Sequence, residues 1–398
     1  MDGCINDIIT KNLLHLKNKS EYGIITTSID CDGLSNENAV YKYLNDLISN
    51  NDILKKNLVY KNNNLLLKNI DINIDKHLII DYCNFKKFDS KIKSILNKKL
   101  KTNWFFHFFI DKINKKTKMV FSISHAYADG YKIISLLTNN PKMKIPIKKR
   151  KPPNFLLLLI NTIIVFFIFI KNTLSIIFKR KSKDHSDIHN ISPMDYIKYS
   201  LPFDVLKEKA SNLNITLNDL LYCLCIKIHY HYYGCSKNIL IGSPIYTFTN
   251  YQTNNFFPLC NYIDNSLPIN KLKNVVHNTL NYYKQSLYIP MVNLINKYLN
   301  FQISSKFYNL YFNSTDIIFT NIIGPNKDEI SENKNITNLN LTVKDISFYF
   351  NNLNKELVCC FISYENNINF TLCFKKNLYD KKLLKKSFKN AYKEVINL

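Results

Sequence analysis

The 398-residue chain is poor in the residues that interrupt or cross-link a fold: 7 glycines and 11 prolines are too few for a collagen-like or linker-dominated architecture. Arginine is scarcer still, with only Arg150 and Arg180, and readers of nucleic acid lean on arginine for bidentate base contacts. None of their motifs is present, so no nucleic-acid partner is expected. The ten cysteines include no Cys-x-x-Cys pair and no regular spacing, which reads as free thiols in a reducing compartment. Cys223, Cys225, His229 and His231 lie close in sequence. Residues two apart on a helix point in different directions, so no metal site is expected there. The opening Met1-Asp-Gly-Cys-Ile-Asn has neither a basic nor an apolar stretch; neither a signal peptide nor a myristoylation start is expected from it.

What the chain has in excess is lysine. The formal net charge is +24, which suits an anionic partner such as a membrane surface or the phosphates of a cofactor. The alternative is compositional, since Lys, Asn and Ile are abundant and spread throughout. With 46% hydrophobic and 21% charged residues the chain is ordered. Its length suggests two or three compact units or one two-lobed enzyme.

Strand-like and helix-like patterns alternate. Ile24–Ile29 is a β-branched run, and Glu37–Leu54 carries Val40, Leu44, Leu47 and Ile48 on one helical face. Trp104–Ile110 and Met119–Ile123 read as strands joined by a polar turn, and Gly130–Leu137 as a short helix. The second half offers helices over Leu217–Ile228 and Val275–Leu299 and strands over Ile239–Ile245, Ile317–Ile323 and Leu341–Phe350. Leu357–Ser363 and Ile368–Phe374 suggest a hairpin, and Asp380 suggests the cap of a last amphipathic helix. Between the halves the composition changes abruptly. Lys148-Lys-Arg-Lys151 leads into Phe155–Ile170, apolar apart from Asn161 and Thr162; after Lys171 come Leu174 and Ile176-Ile-Phe178, and Lys179-Arg-Lys-Ser-Lys183 closes the segment before the polar linker Asp184–Ser192. The division expected is 1–150, 151–183 and 184–398.

The chemistry-bearing segment is Ser122-Ile-Ser-His125-Ala-Tyr-Ala-Asp129-Gly130. A strand ends, a histidine stands at its exit, and Asp-Gly opens a helix four residues later. Imidazole can accept a proton at neutral pH; Asp129 sits where an N-cap belongs; Gly130 permits a tight turn. A core histidine beside an ordinary helix cap would read the same way.

His-x-x-x-Asp-Gly resembles the signature of the coenzyme A-dependent acyltransferase superfamily, which includes chloramphenicol acetyltransferase and peptide-synthetase condensation domains. Trp104–Asp111 looks like the strand ahead of the family's histidine. Thr216-Leu-Asn218-Asp219 resembles the Asn-Asp helix of the wax ester synthase/diacylglycerol acyltransferases, and Thr320-Asn321-Ile-Ile-Gly324-Pro325 resembles their Ser-Asn-Val-Pro-Gly-Pro segment. There are departures. Ser124 stands where the branch has a first histidine, Ile323 replaces the first proline, and no arginine lies near Asp129 in sequence. The resemblance implies a two-lobed α/β fold of mixed sheets with flanking helices and a tunnel between the lobes. His125 would be the base and Asn218 the oxyanion donor, while Gly130, Asp219, Asn321, Gly324 and Pro325 would be structural. Asp129, counted with the catalytic group, would rely on backbone amides or a lysine. Acyl-CoA would be the co-substrate, with no bound cofactor or metal.

Phe155–Phe178 would span roughly 36 Å as a helix, enough to cross a bilayer. Spanning would put His125 on one side and the Asn218 and Asn321 motifs on the other, although both halves must build one tunnel; basic flanks at both ends also favour one side. A segment lying in one leaflet, with both ends cytosolic, is therefore the favoured reading; a spanning helix and a buried core helix stay open. Ser135 and Asn265 would then be surface markers of the same side. Membrane contact suits an insoluble acceptor, a fatty alcohol or diacylglycerol, at the endoplasmic reticulum or a lipid droplet if the cell is eukaryotic. The alternatives are the same fold acting on a small soluble alcohol or amine, and a catalytically dead membrane-binding scaffold.

Overall fold

Among the described residues three sheets carry the architecture. The structure, a computed structural model, describes residues 3–5, 23–61, 64–98, 100, 102–137, 153–181, 193–246, 256–288, 290–291, 314–325, 339–351 and 357–398. In chain order the N-terminal half contains β1 (Gly3–Ile5), β2 (Ile24–Asp32), α1 (Glu37–Asn50), β3 (Lys56–Lys61), β4 (Asn64–Asn69), β5 (Leu78–Tyr82), α2 (Phe88–Leu96), β6 (Trp104–Asp111), β7 (Lys116–Ser124) and α3 (Gly130–Leu137). After α4 (Phe155–Lys181) come β8 (Met194–Pro202), α5 (Phe203–Asn212), α6 (Leu217–Tyr233), β9 (Asn238–Tyr246), β10 (Phe256–Asp264) and α7 (Ile269–Lys284). The chain closes with β11 (Ile317–Ile322), β12 (Thr342–Asn351), β13 (Leu357–Tyr364), β14 (Asn367–Lys375) and α8 (Lys381–Ile396). Five strands pair in the order β12-β2-β7-β6-β5, six in the order β10-β9-β11-β13-β14-β8, and β1-β4-β3 form a small third sheet.

The lobes are not consecutive segments. β12 pairs antiparallel with β2, from Thr342 opposite Asp32 to Asn351 opposite Ile24, so residues from the expected 184–398 unit complete the N-terminal sheet. The exchange covers what would be an unpaired edge of β2 and delivers buried Ile346, Phe348 and Tyr349 to the N-terminal core. One lysine bridges the paired strands: Lys198 on β8 pairs with Asp345 on β12 and lies 3.9 Å from Asp30 on β2.

Most expected elements form for the expected reasons. α1 starts where the Asn36 side chain accepts from the Ala39 amide and buries Val40, Leu44, Leu47 and Ile48; it stops at Asn50, and a 3₁₀ turn over Asp52–Lys55 replaces its expected last turn. β13 and β14 form the hairpin with Tyr364 opposite Asn367, and Asp380 caps α8 by accepting from Leu383. The expected Val275–Leu299 helix begins earlier, at Ile269, and ends at Lys284; 292–299 lie outside the described residues, as do the linker 184–192 and the basic run 148–151. β8 was hidden by the charges within it. Asp195 lies 3.3 Å from Lys93 on α2 and 3.1 Å from Lys381 on α8, so a strand with a buried carboxylate carries no apolar signature. Asn265, expected as a surface marker, is fully buried, its side-chain oxygen accepting from the Lys237 amide.

α4 lies lengthwise against the second lobe. Asn161, Val165, Asn172 and Ile176 are its buried stripe. Asn172 Nδ2 donates to the Cys260 carbonyl on β10 at 2.7 Å, and Thr162 Oγ1 accepts from the Leu287 amide just past α7 at 3.0 Å. Only 17% of its Phe155–Ile177 stretch is buried, so it is not a core helix.

Candidate active site

β7 ends at Ser124, and the next residue is tied across to the start of β2: the His125 amide donates to the Gly23 carbonyl at 2.6 Å. Tyr127, fully buried, donates from its hydroxyl to Asn57 Oδ1 at 2.7 Å, which pins the loop that leads to Asp129. Asp129 caps α3 as its position suggested. Its Oδ1 accepts from the Lys132 amide at 2.8 Å and its carbonyl from the Ile133 amide at 3.0 Å. The backbone amide of Lys132 is a partner of the kind expected for it.

Gly130 is needed for a different reason from a tight turn. A Cβ there would lie 2.2 Å from Cδ1 of Ile322, which arrives from β11. The glycine lets the two motif-bearing segments touch. Gly324 has the same role against backbone: a Cβ would fall 1.7 Å from the Ser363 carbonyl oxygen, and its amide donates to Ser363 Oγ at 3.1 Å. Gly324 and Pro325 are both buried and shape the chain after β11.

Asn218 and Asp219 divide their labour on the first turn of α6. Thr216 is the N-cap; its hydroxyl accepts from the Asp219 amide, and Asp219 Oδ2 accepts from the Thr216 amide at 3.0 Å, a reciprocal capping box. Asp219 also meets His277 Nδ1 at 2.7 Å. Asn218, not needed for the cap, accepts at Oδ1 from Asn321 Nδ2 at 3.2 Å.

These motifs converge on one cavity at the junction of the two large sheets. His125, Asp129, Gly130 and Tyr131 line it, together with Thr320, Asn321 and Ile322 of β11. Ile25, Phe348 and Phe350 add apolar wall beside the histidine, and the Phe350 ring meets the His125 ring edge-on at 5.7 Å between centroids. Asn218, Asp219, Gly324 and Pro325 do not line it; Asn218 reaches it through Asn321. The sequence reading missed the wall built by Gly242, Ser243 and Pro244 of β9 with Cys260 of β10; only the Gly-Ser-Pro interruption within an otherwise apolar strand could have flagged it.

Two thiols and a phenol in the wall are held in their neutral forms. Burial pushes the Cys260 thiol up to about 12, burial does the same in direction for the Tyr349 hydroxyl, and the Cys360 thiol is raised by its contact with Cys373 and by burial. Neutral thiols are poor nucleophiles. With the Asp129 carboxylate engaged by backbone, His125 is the lining group suited to proton transfer near neutrality. Among the described residues no three His, Cys, Asp or Glu side chains are grouped to hold a metal ion.

The fold is shared along the whole chain with acyl-transfer and condensation enzymes. The wax ester synthase/diacylglycerol acyltransferase from Marinobacter aquaeolei VT8 superposes with a TM-score of 0.59 at 11% identity, over 98% of this chain and 99% of that one. The trichothecene 15-O-acetyltransferase TRI3 of Fusarium sporotrichioides gives 0.68 at 9% identity, over 99% and 94%. The first condensation domain of the calcium-dependent antibiotic synthetase gives 0.62 at 8% identity, over 100% and 96%. No curated protein matches the sequence. The fold is that of the two-lobed CoA-dependent acyltransferases and condensation domains. Residues 256–395 match the WS/DGAT C-terminal domain, the family that the Asn218-Asp219 and Asn321–Pro325 motifs resemble, and this match supports an acyltransferase.

Proposed function

We propose that the protein transfers a fatty acyl group from acyl-CoA to a lipid alcohol, a fatty alcohol or diacylglycerol, at a cytosolic membrane surface, that of the endoplasmic reticulum or a lipid droplet in a eukaryotic cell. The observation that carries this reading is the mainly apolar cavity that His125 and Asn321 both line. His125 takes the hydroxyl proton of the acceptor, and the alkoxide oxygen attacks the thioester carbonyl. The tetrahedral intermediate expels the CoA thiolate, which recovers the proton from His125. No acyl-enzyme is required, because a positioned base and bound reactants suffice. The oxyanion needs a donor. Asn218 was the sequence-based candidate. Asn321 is the amide that faces the cavity, so Asn218 acts as the positioning residue behind it.

The test is incubation of purified protein with labelled acyl-CoA and a panel running from long-chain alcohols and diacylglycerol to small soluble alcohols and amines. Ester formation is expected with the lipid acceptors. His125→Ala is expected to lower turnover by roughly 100-fold or more with an unchanged melting temperature. Near-wild-type synthesis by that variant overturns the mechanism, and exclusive use of small acceptors overturns the substrate class.

A further inference from the structure

The helix α4 turns a broad apolar face outward. Leu156, Leu159, Ile163, Phe166, Phe167, Ile170 and Leu174 are exposed, Phe167 by 64% and Ile163 by 49%. At about 100° per residue they cluster opposite the buried stripe of Asn161, Val165, Asn172 and Ile176. Contiguous apolar surface of this extent marks a membrane or partner site. The stripe covers about 22 Å of helix and is occupied along that length by α7 and β10. A spanning pose would therefore draw α7, with Lys271, Lys273 and Lys284, into hydrocarbon, at a cost of several kcal/mol per charge. The sequence sets lysine-rich runs, Lys148–Lys151 and Lys179–Lys183, at both ends of the helix, which complements anionic lipid headgroups. One leaflet satisfies the face and the charge together.

The inner side of the same helix touches the active-site wall. Among the described residues β10 is the outermost strand of the six-stranded sheet, and such a strand turns carbonyls away from its one paired neighbour. Asn172 supplies the donor for one of them, at Cys260, and Cys260 lines the His125 cavity. Asn172 is only 2% exposed, so this is a buried pin between the helix and the wall. We propose that α4 is a strut that seats its outer face in one leaflet and holds the β10 wall with its inner face, so that the lipid acceptor enters the cavity from that leaflet alongside β10. This rests on the proposed lipid acyl transfer.

The experiment uses the full chain, vesicles of phosphatidylcholine and phosphatidylserine, and two acceptors, diacylglycerol embedded in those vesicles and a short-chain soluble alcohol. A triple variant of the outer face, Ile163→Ser with Phe167→Ser and Ile170→Ser, is expected to lose flotation with the vesicles and at least tenfold of the embedded-acceptor rate, while keeping the soluble-alcohol rate. Asn172→Leu is expected to float like wild type yet lose at least fivefold in the ratio of embedded to soluble rates. Flotation of the triple variant, or a wild type that dimerises without floating, overturns the leaflet as occupant. An unchanged ratio in Asn172→Leu overturns the coupling to the wall. Should Asn172→Leu melt early, the triple variant still decides entry: its side chains are exposed, and an unchanged embedded-acceptor rate overturns it. A wild type that floats but esterifies neither acceptor sinks the proposed function and leaves the membrane seat standing.

Discussion

Two long apolar helices in this chain have opposite surroundings. In α6 every residue from Asp219 to His229 is buried. In α4, by composition the more apolar of the two, most large side chains face outward. Apolar content therefore does not say what covers a helix; its polar residues do. Lys227 in α6 is 2% exposed and reaches Glu394 of α8 at 3.0 Å, so protein surrounds it. Asn161 and Asn172 in α4 are eleven residues apart, about three turns, and mark a single protein-facing stripe.

The comparison is most directly broken by truncation. Leu224→Ala in α6, at a fully buried position, is expected to cost about 2–5 kcal/mol in denaturant unfolding. Phe167→Ala in α4 is expected to stay within about 0.5 kcal/mol without lipid present. A loss at Phe167 as large as that at Leu224 would mean that protein, not lipid, covers the outer face.

The contact between the first turn of α6 and β11 sharpens the comparison at the site. Asn321→Ala is expected to lower kcat by about 100-fold, in the range seen for loss of an oxyanion donor, and Asn218→Ala by about tenfold, since a positioning residue acts through the other. The double variant should be no slower than Asn321→Ala alone, the non-additivity expected of two residues in one network. Independent, multiplying effects would give Asn218 a contact of its own with the intermediate.

Much of this was legible in the sequence because it rests on local chemistry. The strand, histidine and cap order of Ser122–Gly130 gives the N-terminal half of the site, and the Asp380 cap and the Tyr364–Asn367 hairpin follow turn and cap rules. What stayed hidden depends on distant partners. Nothing near β12 announces that it pairs with β2 more than 300 residues away, nothing near Gly130 announces Ile322, and β8 reads as polar until Lys93 and Lys381 are placed around Asp195. The relation of Asn218 to Asn321 is of the same kind: each motif was visible, and their order of approach to the cavity was not.

An enclosed titratable group tests burial by protons, as Leu224 does by volume. His107 on β6 is 7% exposed and stacks on Phe109 at 5.4 Å; burial lowers its pKa to about 4. In the unfolded chain it titrates near 6.5, so between these values the unfolded state binds the extra proton. The stabilisation from the neutral buried ring is complete above about pH 6.5 and disappears as pH falls toward 4, a loss on the order of 2–3 kcal/mol. His107→Phe is expected to flatten that part of the stability profile. A variant that keeps the wild-type slope from 6.5 to 4 would assign the acid sensitivity to other groups.

The smallest expected effect separates Asp129 from His125, its neighbour in the same cavity. Asp129 Oδ1 accepts from the Lys132 amide, the contact of an N-cap, and an asparagine oxygen can accept the same bond. Asp129→Asn is therefore expected to melt near wild type and to keep much of its turnover. Asp129→Ala leaves the first turn of α3 without its side-chain acceptor and should cost about 1 kcal/mol. Its turnover should fall only as far as the His125 loop loosens, because the loop keeps the Tyr127 hydroxyl on Asn57 and the His125 amide on Gly23. Thermal melts and steady-state rates on the same preparations distinguish the roles. If Asp129→Asn loses as much turnover as His125→Ala at an unchanged melting temperature, its negative charge acts on the reaction and the cap is incidental.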